Sequence, residues 1–154
     1  LASAQGIFVA EELSGKTPTV RLDIVPGCVY TDPEIASVGM TEEDANESGI
    51  EIKTGKFIMG ANGKSLITKE ERGFIKVIVD AGSEVILGRV LGAQMMCARA
   101  TDMIGEFGTA IANTMTAGQL LIAMRAHPTY NEGVAEALED ATGEAVHAMP
   151  RKKR

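Results

Sequence analysis

Apolar and polar residues alternate along this chain with two different periods, and the periods change in a definite order. Phe74 to Asp80 carries the clearest period of two, with Ile75, Val77 and Val79 on one face and Lys76 and Asp80 on the other, the pattern of a half-buried strand. Glu51 to Met59 shows a rougher version of the same alternation. Ala81-Gly82-Ser83 is a turn signal leading into Val85 to Met95, which reads as a long strand whose Gly88 and Gly92 permit a bend or a bulge. These two segments predict an antiparallel hairpin. Upstream, Cys28 to Tyr30 and Ile35 to Gly39 read as short strands around Thr31-Asp32-Pro33, where Asp and Pro favour a turn.

The helical period dominates the second half. Ala100, Met103, Ile104, Phe107, Ile111 and Met115 recur at three- and four-residue spacing, opposite Arg99, Asp102, Glu106 and Asn113, which predicts an amphipathic helix. Thr116 to Met124 reads as a short helix, and a last helix is predicted from about Tyr130 to Ala141, ending near Gly143. Earlier, Thr41 followed by Glu42-Glu43-Asp44 predicts an N-cap with acidic residues against the helix dipole, and a short helix ending near Gly49. Leu1 to Leu13 look like the continuation of a helix, stopped by Ser14-Gly15-Lys16-Thr17-Pro18. Hairpin strands followed by packed helices predict an α+β fold, an antiparallel sheet covered on one side by helices rather than a parallel doubly wound sheet.

Composition sets the limits of that picture. A chain of 154 residues with 45% hydrophobic content supports one domain with a real core. The division expected is a helix end and linker over 1–20, the domain proper over 21–145, and a basic tail over 146–154. A net charge of −6 and a pI near 5.0 argue against a nucleic-acid partner, which needs clustered Lys and Arg. Arg151 to Arg154 is the one basic run, and it reads as a solvated tail. Cys28 and Cys97 are the two cysteines, far apart, so neither a disulfide framework nor a metal site is expected, and a reduced, cytoplasmic protein is. Arg89, Glu106 and Arg125 interrupt the richest apolar stretches, so no membrane span is expected, nor is a signal peptide. No glycine-rich dinucleotide turn and no P-loop occur in the sequence. Because the chain opens on Leu1 within a helical pattern, it reads as part of a longer protein.

The stretch that could carry chemistry is His127-Pro128-Thr129-Tyr130-Asn131-Glu132, where a proline fixes the backbone beside a histidine and a carboxylate lies five residues on. A neutral imidazole takes a proton near neutral pH, and a carboxylate on its second nitrogen fixes tautomer and orientation. Such a pair contributes roughly 10²–10⁴ in rate when correctly placed. Thr129 and Glu132 also form a T-x-x-E capping box, in which Glu132 only satisfies a helix N-terminus and His127 is an ordinary loop residue. Both readings stand at the level of spacing. His147 has no local ligand spacing that would join it to the cysteines in a metal site.

This same stretch resembles the H-P-T-x-x-E signature of the pyridine nucleotide-disulfide oxidoreductases, and the segment from Tyr30 to Thr41 resembles the opening of their interface domain. Gly73 to Val77 and Leu87 to Ala93 are similar to that domain's central hairpin, and Ala2 to Gly6 to the helix after the last FAD-binding segment. The resemblance covers nearly the whole chain. Within the family, Ala126 to Glu132 looks more like the dihydrolipoamide dehydrogenases than the glutathione reductases. The resemblance implies the dimerisation domain of a homodimeric, FAD- and NAD-dependent enzyme that oxidises lipoyl groups on a protein of a 2-oxo acid dehydrogenase or glycine-cleavage complex. It implies that His127 is the general base serving the partner subunit's redox disulfide, that Glu132 orients it, and that His127 and Pro128 lie near the partner's flavin. A cis His127-Pro128 bond is a further implication. The family's redox-active C-x-x-x-x-C pair is absent, Cys28 and Cys97 being expected in the core, so the chain alone should be inactive and without cofactor. The alternatives are a stand-alone dimerisation module without catalysis, or the same domain from a related reductase such as glutathione reductase.

Overall fold

The computed structural model describes residues 1–82 and 88–147. Five strands, β1 (Gly27–Val29), β2 (Glu34–Gly39), β3 (Ile52–Ile58), β4 (Phe74–Asp80) and β5 (Val90–Cys97), form one sheet in the order β1-β2-β5-β4-β3, every pair antiparallel. The register lines up one buried row across the sheet: Phe57 faces Ile75, Ile75 faces Met95, Met95 faces Ala36, and Ala36 faces Cys28. The first four of these are all but inaccessible to solvent and Cys28 is half-buried against them. A second row of Gly55, Val77, Ala93 and Val38 runs beside it. The period-two face read from the sequence is thus the floor of the core.

Helices close that floor. Besides α1 (Ala2–Leu13), α2 (Glu42–Glu47) and α3 (Gly63–Thr68), the chain forms α4 (Ala100–Ala112), α5 (Ala117–Ile122) and α6 (Glu132–Asp140). The apolar stripe of α4 buries Ala100, Met103, Ile104, Phe107 and Ala110 against β2 and β5, and α6 buries Gly133, Val134, Ala137 and Leu138 against β3 and β4. Small residues let α6 sit close: a Cβ on Gly55 would lie 1.8 Å from the Ala137 carbonyl oxygen. Two carboxylates fasten the layers. Glu34 of β2 accepts from the Thr101 backbone N–H at 2.9 Å and hydroxyl at 2.6 Å, capping α4 across the fold, and Asp140 accepts the Lys56 N–H of edge strand β3 at 2.8 Å. On the opposite face, the strap from Met40 into α2 crosses one corner, with Gln94 donating to the Met40 carbonyl and Lys76 paired with Glu42 at 2.9 Å.

The α+β fold and the hairpin stand as read, with differences at element ends. The strand expected over Val85 to Met95 begins at Val90 and runs to Cys97; residues 83–87 lie outside those described. Gly88 precedes the strand, where a Cβ would meet the Asp80 carbonyl oxygen at 1.7 Å, and the irregularity sits between Ile78 and Val79 of β4. Met115 lies past the end of α4: Thr114 turns the chain with φ of 52°, and Met115 bonds back to the Ala110 carbonyl. The last helix starts at Glu132 rather than Tyr130, because the Tyr130 hydroxyl is held in the preceding loop by Thr68 at 2.7 Å. Helix α3, which the apolar pattern gave no reason to expect, is started by Asn62, whose side chain accepts the Ser65 N–H at 2.9 Å. The Thr41 cap is a reciprocal capping box with Asp44. Helix α1 buries none of its residues and leaves Ile7, Val9 and Leu13 exposed.

Candidate active site

The loop joining α5 to α6 spans 123–131 and would be a poor platform for chemistry if it were held only at its ends. It is pinned along its length. Arg125 extends into the fold until its side chain is 9% exposed, pairs with Glu106 of α4 at 2.6 Å, and also donates to the Leu120 and Ala123 carbonyls. The second Glu106 oxygen accepts from Asn131 at 2.9 Å, so one carboxylate clamps both ends of the loop. Asn62 donates to the Thr129 carbonyl at 3.0 Å while its oxygen caps α3. Tyr130 bonds Thr68 and Glu70 on the α3 side. The His127-Pro128 peptide is cis, as the resemblance implied, and Asp32-Pro33 is cis as well.

On this pinned loop His127 and Glu132 meet. The His127 Nδ1 lies 2.8 Å from Glu132 Oε1, and the other carboxylate oxygen accepts the Thr129 N–H at 2.9 Å. The expected capping box does not form: Asn131 precedes the first residue of α6, Glu132 reaches back to the Thr129 N–H within the loop, and the Thr129 hydroxyl donates to the Ala126 carbonyl at 2.7 Å. One carboxylate braces the loop with one oxygen and holds the histidine ring with the other. Partial burial opposes its ionisation, but the Thr129 N–H and the His127 ring outweigh that and hold the carboxyl below its ordinary range. With Nδ1–H donating to a carboxylate, the lone pair of a neutral imidazole resides on Nε2. The His127 side chain is 77% exposed, so that nitrogen is open to a reactant.

A second pair repeats the arrangement one helical turn on. Glu136 Oε1 lies 2.6 Å from His147 Nδ1 and its other oxygen accepts the His147 backbone N–H at 3.0 Å. Spacing in the sequence gave no signal for this pair, since the partners stand 11 residues apart, one within α6 and the other beyond its end. Arg125, Glu106, Asn131 and Asn62 were also silent as site residues, although a charged arginine beside an apolar helix is the one cue that could have pointed to a clamp. The cysteines take no part. Cys97 is inside the core, where burial foremost, and the Glu34 charge next, push its thiol up to about 12, which makes it inert as a nucleophile. Among the described residues no group of three or more His, Cys, Asp and Glu side chains is placed to hold a metal, and no helix is long and apolar enough to cross a membrane.

Residues 25–138 match the family model of the pyridine nucleotide-disulphide oxidoreductase dimerisation domain. The chain belongs to that family. Within it, the chain is 39% identical over 151 residues to a dihydrolipoyl dehydrogenase of Haloferax volcanii, covering 98% of this chain and 31% of the relative. It is 40% identical over 148 residues to a dihydrolipoyl dehydrogenase of Bacillus subtilis, covering 96% and 31%. Among solved structures, the HOCl-induced flavoprotein disulfide reductase RclA of Escherichia coli superposes with a TM-score of 0.75 at 28% identity, over 86% of this chain and 30% of that one. LpdA of Mycobacterium tuberculosis shares the fold, with a TM-score of 0.79 at 24% identity over 90% and 30%. The chain spans about a third of the length of the curated relatives it matches.

Proposed function

We propose that this domain, within a complete dihydrolipoyl dehydrogenase, supplies the His127–Glu132 pair as general base to the redox disulfide of the partner subunit. The observation that carries the reading is the 2.8 Å contact of His127 Nδ1 with Glu132, on a loop clamped by Glu106, with the opposite ring nitrogen open. A dihydrolipoyl thiol brought to Nε2 gives up its proton there. The resulting thiolate attacks the disulfide, and the protonated ring beside an ionised Glu132 stabilises the thiolate released. FAD and NAD, held by the rest of the enzyme, would supply the redox chemistry that takes up the electron pair, and His127 and Pro128 would then lie on the side of this domain that faces the partner's flavin. The substrate is a lipoyl-bearing protein of a 2-oxo acid dehydrogenase or glycine-cleavage complex.

The remaining assignments follow from the same reading. Residues 21–145 form the dimerisation domain, 1–20 the link to the FAD domain, and 146–154 a basic tail; the absence of any buried residue in α1 supports the division. Two unpaired cysteines accord with a reducing, cytoplasmic setting. A second reading, a related reductase acting on another disulfide, is favoured by the likeness to RclA. Steady-state assays of the full-length enzyme separate them. His127→Gln is expected to slow NAD-dependent oxidation of dihydrolipoamide by at least about 10²-fold while leaving FAD bound. Undiminished turnover in that variant refutes the base, and preferential turnover of glutathione disulfide by the unaltered enzyme favours the second reading.

A further inference from the structure

The repeat of the His–Glu arrangement on α6 is left unused by the proposed reaction. Glu132 and Glu136 are one turn apart on the same helix, and each holds an imidazole Nδ1 with one oxygen and a backbone N–H with the other. His127 and His147 line a common cleft of about 250 Å³, together with Asn62 and Phe57. Glu136 is mostly covered, its side chain 13% exposed, whereas His147 is 67% exposed. An uncompensated carboxylate at Glu136 would add negative charge beside the first pair, and like any negative charge near an imidazole it would hold a proton on the ring.

We propose that His147 neutralises Glu136 at this position and so sets the pH window in which the His127–Glu132 pair works as a base. The role is one of positioning charge, and it rests on the base assigned above. The groups facing His147 are Glu132, Glu136 and Glu139 of α6, His127 across the shared cleft, and Asp140 of α6 in the cleft on its other side. A second cleft, of about 780 Å³, adds Lys56 of β3, Lys76 of β4 and Glu42 of α2, the last two paired with each other. Carboxylates predominate, and the Glu136 hydrogen bond and charge raise the proton affinity of His147 above its ordinary value. The two pairs also sense each other, since the Glu132 charge favours protonated His147 and the His147 charge favours ionised Glu132.

The test is the pH profile of kcat/KM for dihydrolipoamide in the full-length enzyme. His147→Gln leaves Glu136 uncompensated, so the acidic limb moves to higher pH by about half a unit, the order of magnitude for one added charge near a surface. Glu136→Gln removes the negative charge and moves the limb to lower pH. His147→Lys restores a positive charge and returns the limb to its original position. A role confined to holding the C-terminal segment in place would lower the rate at every pH without moving the limb, and an unmoved limb in both single variants overturns the proposal. If His147→Gln does not fold, the direction of shift in Glu136→Gln decides alone. An unmoved limb in an enzyme that His127→Gln still inactivates refutes this inference and spares the base; an active His127→Gln enzyme refutes the base itself.

Discussion

At the scale of single residues, the most informative atom pair is the two oxygens of Glu132, one on the Thr129 N–H and one on the His127 ring. A neutral amide in the same place keeps an acceptor and loses the charge, so Glu132→Gln is expected to lower lipoamide turnover on the order of 10²-fold. Its stability effect has a definite sign. The folded-state value of Glu132 lies below its unfolded value, so its contribution is present above the ordinary carboxylate range and is lost as pH falls through the folded value. Melting curves of the unaltered and Glu132→Gln proteins should therefore differ at pH 7 and converge in acid. A difference that stays constant down to pH 3 would show that the carboxylate's charge is not what matters. His127 and Glu132 were singled out in the sequence because they are five residues apart beside a proline, but spacing left the helix-capping reading open and only the resemblance implied their roles. Asn62, 67 residues from the Thr129 carbonyl it binds, and Glu106, 25 residues from Asn131, were not, because a clamp between distant segments leaves no periodic trace.

At the scale of elements, the close seat of α6 on β3 decides where Glu132 and Glu136 stand. Gly55 and Gly133 both face this contact, yet they make different demands. A Cβ on Gly55 meets backbone, at 1.8 Å from the Ala137 carbonyl oxygen and 2.7 Å from the Ala141 nitrogen, whereas one on Gly133 meets the side-chain ends of Ile75, Met59 and Phe57 at 3.1 Å. Backbone cannot rotate aside and side chains can, so Gly55→Ala is expected to destabilise by about 3 kcal/mol or more and Gly133→Ala by clearly less. Denaturant unfolding of the two variants checks the ranking, and equal midpoints would mean that α6 slides freely on the sheet. Elements whose pattern is local were readable: β4 by its alternation, α4 by its stripe, α2 by its Thr41 N-cap and acidic first turn. Their ends were not, because Met115 leaves α4 through a positive-φ residue and Tyr130 is held out of α6 by Thr68. Helix α3 escaped notice because its six residues start from the Asn62 cap and carry no apolar stripe.

At the scale of the whole molecule, a dimerisation domain needs a surface for its twin, and an exposed apolar strip lies near His127. Ile122 is 83% exposed and Met124 is 97% exposed, at the end of α5 and three residues from His127. Stable homodimers cover roughly 1,200 Å² or more of surface, apolar at its centre, and a methionine standing fully clear of its own fold is suited to such a contact. If this strip is covered by the second subunit, a charge placed there is desolvated without a partner, at a cost of several kcal/mol, and each 1.4 kcal/mol corresponds to about a tenfold loss of affinity. Met124→Asp in the full-length enzyme is then expected to shift the dimer towards monomer in sedimentation at micromolar concentration, with its circular dichroism spectrum preserved. Turnover should fall in parallel with the dimer fraction, because a base that serves the other subunit works only in the assembled pair. A Met124→Asp enzyme that remains dimeric places the interface elsewhere on the domain, and one that becomes monomeric with full activity shows that His127 does not act across subunits.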